Sequence, residues 1–230
     1  MFLKRHYNKE IMDDFSITDD RIDKALEELK IINTFLGGNS ISSKAINYLI
    51  RQKKLNNSIE ILDVGSGGAS IYDKVQSSLK RRHIKVNWTC IDLNIRACRF
   101  EKKTLKGDNV VCCNGYRLPF KKKTFEIIHA SLFLHHFSEK DIIQLLKTFY
   151  ETCRSGIIIN DLRRNVFAYM GIKILTTLFS RSEMVKNDGP LSVKRGFVKS
   201  DLTKILLQAG ILNYKIKRKW AFRWMVIISV

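Results

Sequence analysis

The sequence predicts an α/β protein: a seven-stranded, mostly parallel sheet with helices on both faces and an antiparallel hairpin at its C-terminal end. Three observations lead there. From residue 59 onward, short apolar runs alternate with amphipathic stretches, the pattern of strands buried on both faces by crossover helices. The first run, ILDV at 61–64, ends in a glycine-rich turn, GSGG at 65–68, that opens the next helix. The last two runs are joined by a link too short for a crossover, so they pair as antiparallel neighbours.

The elements follow in order. Ahead of the sheet, Ile22, Leu26, Leu29, Ile32 and Phe35/Leu36 recur at helical spacing over 20–36. Asp19 or Asp20 can cap that helix and Gly37–Gly38 can stop it. A second helix is expected over 42–54, so residues 1–54 read as a helical extension or lid on a main domain at 55–230. Strands are expected at 59–64, 86–93, 109–113, 125–130 and 156–160, with helices at 69–82, 95–105 and 138–154. The last of these has Ser138 at its N-cap, Asp141 three residues on, and Ile142, Leu145, Leu146 and Phe149 on one face. A helix over 200–209, ended by Gly210, leads to the final strands at 212–219 and 223–230.

Residues 161–197 read as a helical insertion. Its stretch 166–180 is apolar at Val166, Phe167, Met170, Ile174, Leu175, Leu178 and Phe179, leaving Tyr169, Lys173, Thr176 and Ser180 on a narrow polar face. Such a helix packs as core, walls an apolar acceptor pocket, or lies in a membrane surface, which leaves peripheral membrane contact open. Residues 188–197 then lead back to the domain.

Composition bounds the rest. The 230 residues, 45% of them hydrophobic, suffice for one sizeable core. Lys and Arg number 41 against 22 acidic residues, a net charge of +19 that favours anionic partners: RNA, acidic lipid or an anionic small substrate. The basic residues are scattered, so charge alone names none of them. Five cysteines form an odd set without C-x-x-C spacing, which reads as buried reduced thiols and no metal site. No apolar run approaches the ~20 residues of a membrane span, and the N-terminus is charged at once, so a cytoplasmic protein is expected.

The glycine turn decides the chemistry. A phosphate-binding loop needs Gly-Lys-Ser/Thr after its glycines, and the chain has Gly68-Ala69-Ser70. A dinucleotide fingerprint fits Gly65 and Gly67 but finds Ser70 where the third glycine belongs. Asp63, two residues before the first glycine, would repel a pyrophosphate and suits a cationic, phosphate-free nucleoside. S-adenosylmethionine, with its sulfonium and ammonium, meets that description.

On those residues the chain resembles the class I S-adenosylmethionine-dependent methyltransferases, whose fold is Rossmann-like. D-V-G-S-G-G at 63–68 resembles their first motif. Asp92, closing C-I-D-L, matches the acid that holds the ribose hydroxyls. C-N-G-Y-R-L-P-F at 113–120 is similar to their G-D-A-x-x-L-P-F segment, and F-E-I-I-H-A-S-L-F-L-H-H-F at 125–137 to their fourth-strand motif. The resemblance covers about 55–230. It implies a cofactor site at Asp63, Gly65, Ser66, Gly67, Asp92, Leu93, Asn114, Gly115 and Ser131. Asn114 stands where the family usually has Asp, and its carbonyl can still accept a hydrogen bond.

S-L-F-L-H-H-F together with N-D-L-R-R and D-G-P-L-S-V is similar to bacterial small-molecule methyltransferases of quinone and polyketide-type biosynthesis. That implies O- or C-methylation of a lipophilic phenolic or enolic acceptor. His135 or His136 is a candidate general base, and Asp161, just past the fifth strand, is another. Arg163, beside Arg164, can hold an anionic acceptor group, with Tyr169 and Lys173 of the insertion also at the acceptor. Ala130-Ser131-Leu132-Phe133 departs from the [ND]-P-P-[YF] clamp of amide-type N-methylation, and Cys153 reads as a core thiol. The other readings are an RNA methyltransferase using the basic surface and a non-catalytic cofactor-binding module.

Overall fold

The computed structural model describes residues 4–17, 19–67, 71–105 and 109–230. The strands are β1 (Ser58–Val64), β2 (Lys85–Asp92), β3 (Asn109–Cys112), β4 (Phe125–Ser131), β5 (Cys153–Leu162), β6 (Tyr214–Lys219) and β7 (Arg223–Ser229). They form one sheet in the order β3-β2-β1-β4-β5-β7-β6. Strands β1 to β5 are parallel, and β7 lies antiparallel between β5 and β6. Both the mixed sheet and the closing hairpin follow the sequence reading.

Helices α1 (Asp20–Phe35) and α2 (Gly38–Gln52) precede the sheet, and α3 (Tyr72–Lys80), α4 (Ile95–Thr104) and α5 (Glu139–Thr152) cross between its strands. Asp19 caps α1 by accepting from the Arg21 amide, Ser138 caps α5 by accepting from Asp141, and Asn94 caps α4. Gly37, at φ +75°, lets the chain reverse between α1 and α2, so α2 starts four residues earlier than expected. The first residues expected in α3, Ala69 and Ser70, lie outside the described residues, as does Gly68.

Strand alternation divides the core between two faces. Ile157 and Ile159 of β5 point to one side with Phe149 of α5 and Val226, while Ile158 points to the other with Leu49 of α2, Ile61 and Ile227. Burying each such side chain contributes roughly 1.5–3 kcal/mol. Of the five thiols expected to be buried, Cys90, Cys98 and Cys153 are, Cys113 is half-buried and Cys112 is exposed.

Three places depart from expectation. Strand β5 runs on to Leu162, so Asp161 lies inside it and not after it. The insertion holds two helices, α6 (Val166–Phe179) and α7 (Glu183–Arg195), and α7 continues through Pro190 across the stretch read as a return segment. The third concerns α6: Thr176, read on its polar face, is buried with Ala168, and of the alternatives left open for this helix, packing as core is excluded by its large apolar side chains, most of which face outward. Helix α8 (Lys199–Gln208) then leads to the hairpin, and no helix among the described residues is long and apolar enough to cross a membrane.

The segment ahead of α1 is not a loose extension. The carboxylate of Asp188 in α7 accepts from the Ile11 and Met12 amides at 2.8 and 3.0 Å. Buried Arg5 donates to the carbonyls of Arg195 and His135 at 2.7 and 2.9 Å. Residues 4–17 are thereby tied to α7 and to the turn after β4.

Candidate active site

The parallel strands end on one edge of the sheet, where a cavity of about 900 Å³ opens. Open α/β sheets bind ligands at this edge, where the strand order reverses, here between β1 and β4. Every residue expected at the cofactor lines that cavity: Asp63, Gly65, Ser66 and Gly67 after β1, Asp92 and Leu93 after β2, Asn114 and Gly115 after β3, and Ser131 at the end of β4.

Local geometry explains the residue types. Gly65 and Gly67 sit at φ +63° and +50°, a region side chains disfavour. A Cβ on Gly65 would stand 2.1 Å from Cδ2 of Phe133, so the turn has no room for one. Asp92 accepts from the Asn94 amide at 2.8 Å, and burial raises its carboxyl above the usual range against the pull of the Asn94 and Gly67 amides. Asn114 accepts from the Tyr116 amide at 2.9 Å, which fixes its side chain in a turn.

Asp63 differs from the reading of it as a free anion. Its Oδ1 lies 2.7 Å from Nδ1 of His129, whose Nε2 lies 2.8 Å from the Ser42 hydroxyl, and Ser42 also accepts from Asn160. This buried chain ties α2, β4 and β5 to the acid of the glycine turn. Sequence reasoning passed over His129 because a histidine inside an apolar strand shows no partner.

Beyond β4 the backbone turns sharply at Leu132, φ +53°, whose amide donates to Asn160 at 2.9 Å. The chain then presents His135 and His136 to the cavity with their rings 4.2 Å apart. Nδ1 of His135 lies 2.7 Å from Asp161 Oδ1, and Nδ1 of His136 lies 2.7 Å from Asp13 Oδ1. Each imidazole therefore has a carboxylate orienting one nitrogen. Arg195 spans the cluster, donating to Asp13 Oδ2 and to the His136 carbonyl, both at 2.6 Å, with Glu10 Oε1 at 3.5 Å.

The charges follow from these contacts. Burial opposes ionisation of Asp13, but the hydrogen bonds from His136 and Arg195 outweigh it and hold the carboxyl well below its usual range. Burial also opposes charge on His136, yet Asp13 and Glu10 raise its pKa above the ordinary 6.5. Asp161, despite burial, is lowered by the charge and hydrogen bond of His135. Glu10, His135 and His136 bring ligand-capable atoms within 4.8 Å of one another, and the cation this group faces is the guanidinium of Arg195. Glu10, Asp13 and Arg195 were missed from sequence, which offers no periodic signal joining residue 13 to residue 136.

Four expected site residues are placed elsewhere. Asp161 is 1% exposed, and its oxygens accept from His135 and from the Leu162 amide, so it cannot reach an acceptor. Arg163 is bridged through its backbone to Phe197 outside the cavity lining, and neighbouring Arg164 is paired with Asp201 at 3.0 Å. Tyr169 lies under Lys194, whose Nζ is 4.8 Å from its ring centroid, and Lys173 is exposed. The rotation of α6 is the cause, for it gives the cavity Phe167, Ala168, Gly171, Ile172 and Leu175 instead.

Residues 61–156 match a family model described as a methyltransferase domain. The stretch from β1 into β5 therefore carries a methyltransferase domain. Among solved structures, the chain is similar to the plantazolicin methyltransferase BpumL in complex with a triazolic desmethyl analogue and S-adenosylhomocysteine. The TM-score is 0.67 at 14% identity over 95% of this chain and 99% of that one. Human N-acetylserotonin methyltransferase in complex with S-adenosylmethionine gives 0.64 at 14% identity, over 94% of this chain and 57% of the other. A methyltransferase from Aquifex aeolicus gives 0.56 at 16% identity, over 80% and 88%. At these identities the likeness is one of fold. No curated protein matches the chain.

Proposed function

We propose that the enzyme methylates a small lipophilic acceptor through an acidic hydroxyl or enol, with His136 as general base. The observation that carries this reading is the pair of histidine–carboxylate contacts facing an apolar stretch of the same cavity that holds the glycine turn. When bound, S-adenosylmethionine supplies a methyl group activated by its sulfonium. The residues present suit it: two positive-φ glycines with no space for a Cβ at Gly65, and a half-buried acid, Asp92, at the end of β2. Asp92 would accept from the ribose hydroxyls, and Leu93, Asn114 and Gly115, which line the same cavity, would hold the base.

The acceptor half is bounded by α1, α6 and the β6–β7 turn, with Leu36, Phe167, Ile172, Leu175 and Phe222 among its walls. Arg223, buried there, has Nε and Nη1 without a hydrogen-bond partner among the described residues, and burial lowers its pKa to about 10. A buried cation with free donors favours an acceptor whose reacting oxygen carries developing negative charge. His136 is the histidine placed to take the proton: its side chain is 25% exposed against 2% for His135. Asp13 binds its Nδ1 and leaves Nε2 for the acceptor. His135, held between Asp161 and Glu10, positions the pair, and residues 4–17 act as a fixed lid that excludes water.

The test is incubation with methyl-labelled cofactor and a panel of alkylphenols and hydroxypyrones. Labelled product is expected from at least one of them, lost in His136→Ala with cofactor binding retained. Label transferred to RNA and to none of the panel would replace this reading with RNA methylation.

A further inference from the structure

The outward face of α6 is left unexplained by methyl transfer. Phe167, Met170, Ile174 and Leu178 recur at helical spacing and form one stripe, and that stripe faces solvent: Phe167 is 72% exposed, Leu178 69% and Phe179 78%. A helix that only walled a pocket would bury this stripe and expose its polar residues. At the tip of the β6–β7 hairpin Trp220 is likewise 78% exposed. Phe167 and Trp220 also line the cavity, so they stand on its rim.

Within the two segments that carry these residues the charge has one sign; the nearest acids are Glu28, which accepts from the Ser180 hydroxyl and the Arg181 amide at the end of α6, and exposed Glu183. Residues 162–182 contain Arg163, Arg164, Lys173 and Arg181 and no acid, and residues 214–224 contain Lys215, Lys217, Arg218, Lys219 and Arg223 and no acid. Lys173, Arg181, Lys217, Arg218 and Lys219 are exposed. In a chain with 22 acidic residues, two acid-free basic segments flanking the exposed apolar side chains make a surface complementary to an anionic one.

We propose that α6 and the Trp220 hairpin seat the protein on an anionic bilayer, with the apolar stripe in the headgroup boundary and the cations against acidic lipid. The helix is about 21 Å long at 1.5 Å per residue, so it lies in the interface and does not cross it. Seated this way, the rim of the cavity meets the bilayer, and a lipophilic acceptor passes from lipid to enzyme without entering water. Docking goes beyond the methyl-transfer reading and is read without it.

The experiment is flotation of the full chain with vesicles of phosphatidylcholine alone and of phosphatidylcholine mixed equally with phosphatidylglycerol. The chain is expected to float with the mixed vesicles only. The triple variant Met170→Ser, Ile174→Ser, Leu178→Ser changes exposed residues that do not line the cavity, and its partitioning should fall by more than about tenfold. Lys173→Glu with Arg181→Glu should weaken binding to the mixed vesicles and flatten its salt dependence. Unchanged thermal melting and unchanged calorimetric binding of S-adenosylmethionine show that both variants fold. The proposal is overturned if the wild type stays with the soluble fraction, or if the triple variant floats equally well. It is also overturned if the wild type is a dimer that the triple variant converts to monomer, for then a second copy covers the face.

Discussion

Replacing Asp13 with Asn tests the assignment of His136 most sharply. In the wild type burial disfavours the imidazolium, but Asp13 at 2.7 Å and Glu10 nearby win, so the pKa lies above 6.5. The base form is then present only above that raised value, and kcat/KM should climb through a limb lying above pH 6.5. An Asn side chain keeps the shape and removes the charge. A hydrogen bond to a charged group contributes about 1.5–3 kcal/mol, and one pKa unit is about 1.36 kcal/mol. With partial screening at a quarter-exposed ring, the limb should move down by about one unit. Initial rates of labelled methyl transfer from about pH 5 to 9 measure it. The plateau should fall on the order of tenfold or more, because the amide no longer selects the tautomer. Stability follows the same signs. The raised His136 contributes stability that is complete below pH 6.5 and lost as pH rises through its folded pKa. The depressed Asp13 contributes stability present above pH 3.8 and lost as pH falls through its own. A limb that stays in place in Asp13→Asn would remove His136 from the reaction.

Two further changes separate cofactor binding from architecture. Gly65→Ala places a methyl on Phe133 and strains a positive-φ turn by about 1–2 kcal/mol. S-adenosylmethionine affinity measured by calorimetry should drop more than about tenfold, with the sheet intact by circular dichroism. Asp161→Asn removes the nearer of the two carboxylates at buried His135 and should cost about 3 kcal/mol, lowering Tm by roughly 6–12 °C. Cofactor affinity in that variant should be unchanged; a large loss would mean that Asp161 acts on the cofactor side.

The parts of this molecule legible in its sequence are those whose signal is local. Strand β1 and its glycine turn showed because an apolar run met residues that tolerate positive φ, and the hairpin showed because its link is short. Helix α6 is legible at its boundaries, but the side it turns inward is not. Most positions in it are apolar, so the pattern alone does not say which side packs, and the inward positions are the small Ala168 and the polar Thr176, which satisfies itself on the Ile172 carbonyl. Pro190 hid α7, a helix that tolerates the lost donor. Strand β5 ran past its apolar stretch because His135 satisfies the carboxylate of Asp161, a contact across 26 residues. The lid was the least legible part: Glu10 and Asp13 meet histidines more than 120 residues away, through Arg195 and Asp188, and composition carries no trace of such pairing.

A nucleoside site built around one carboxylate is proposed at the edge of the sheet beside β1 and β2. Calorimetric titration of S-adenosylmethionine into the wild type and into Asp92→Ala tests it directly. Saturable binding is predicted for the wild type, weakening as pH falls through the raised pKa of Asp92. Loss of two hydrogen bonds to a charged acceptor should weaken binding in Asp92→Ala by more than about tenfold. Equal affinity in the two proteins, or no heat in either, would mean that Asp92 holds no nucleoside.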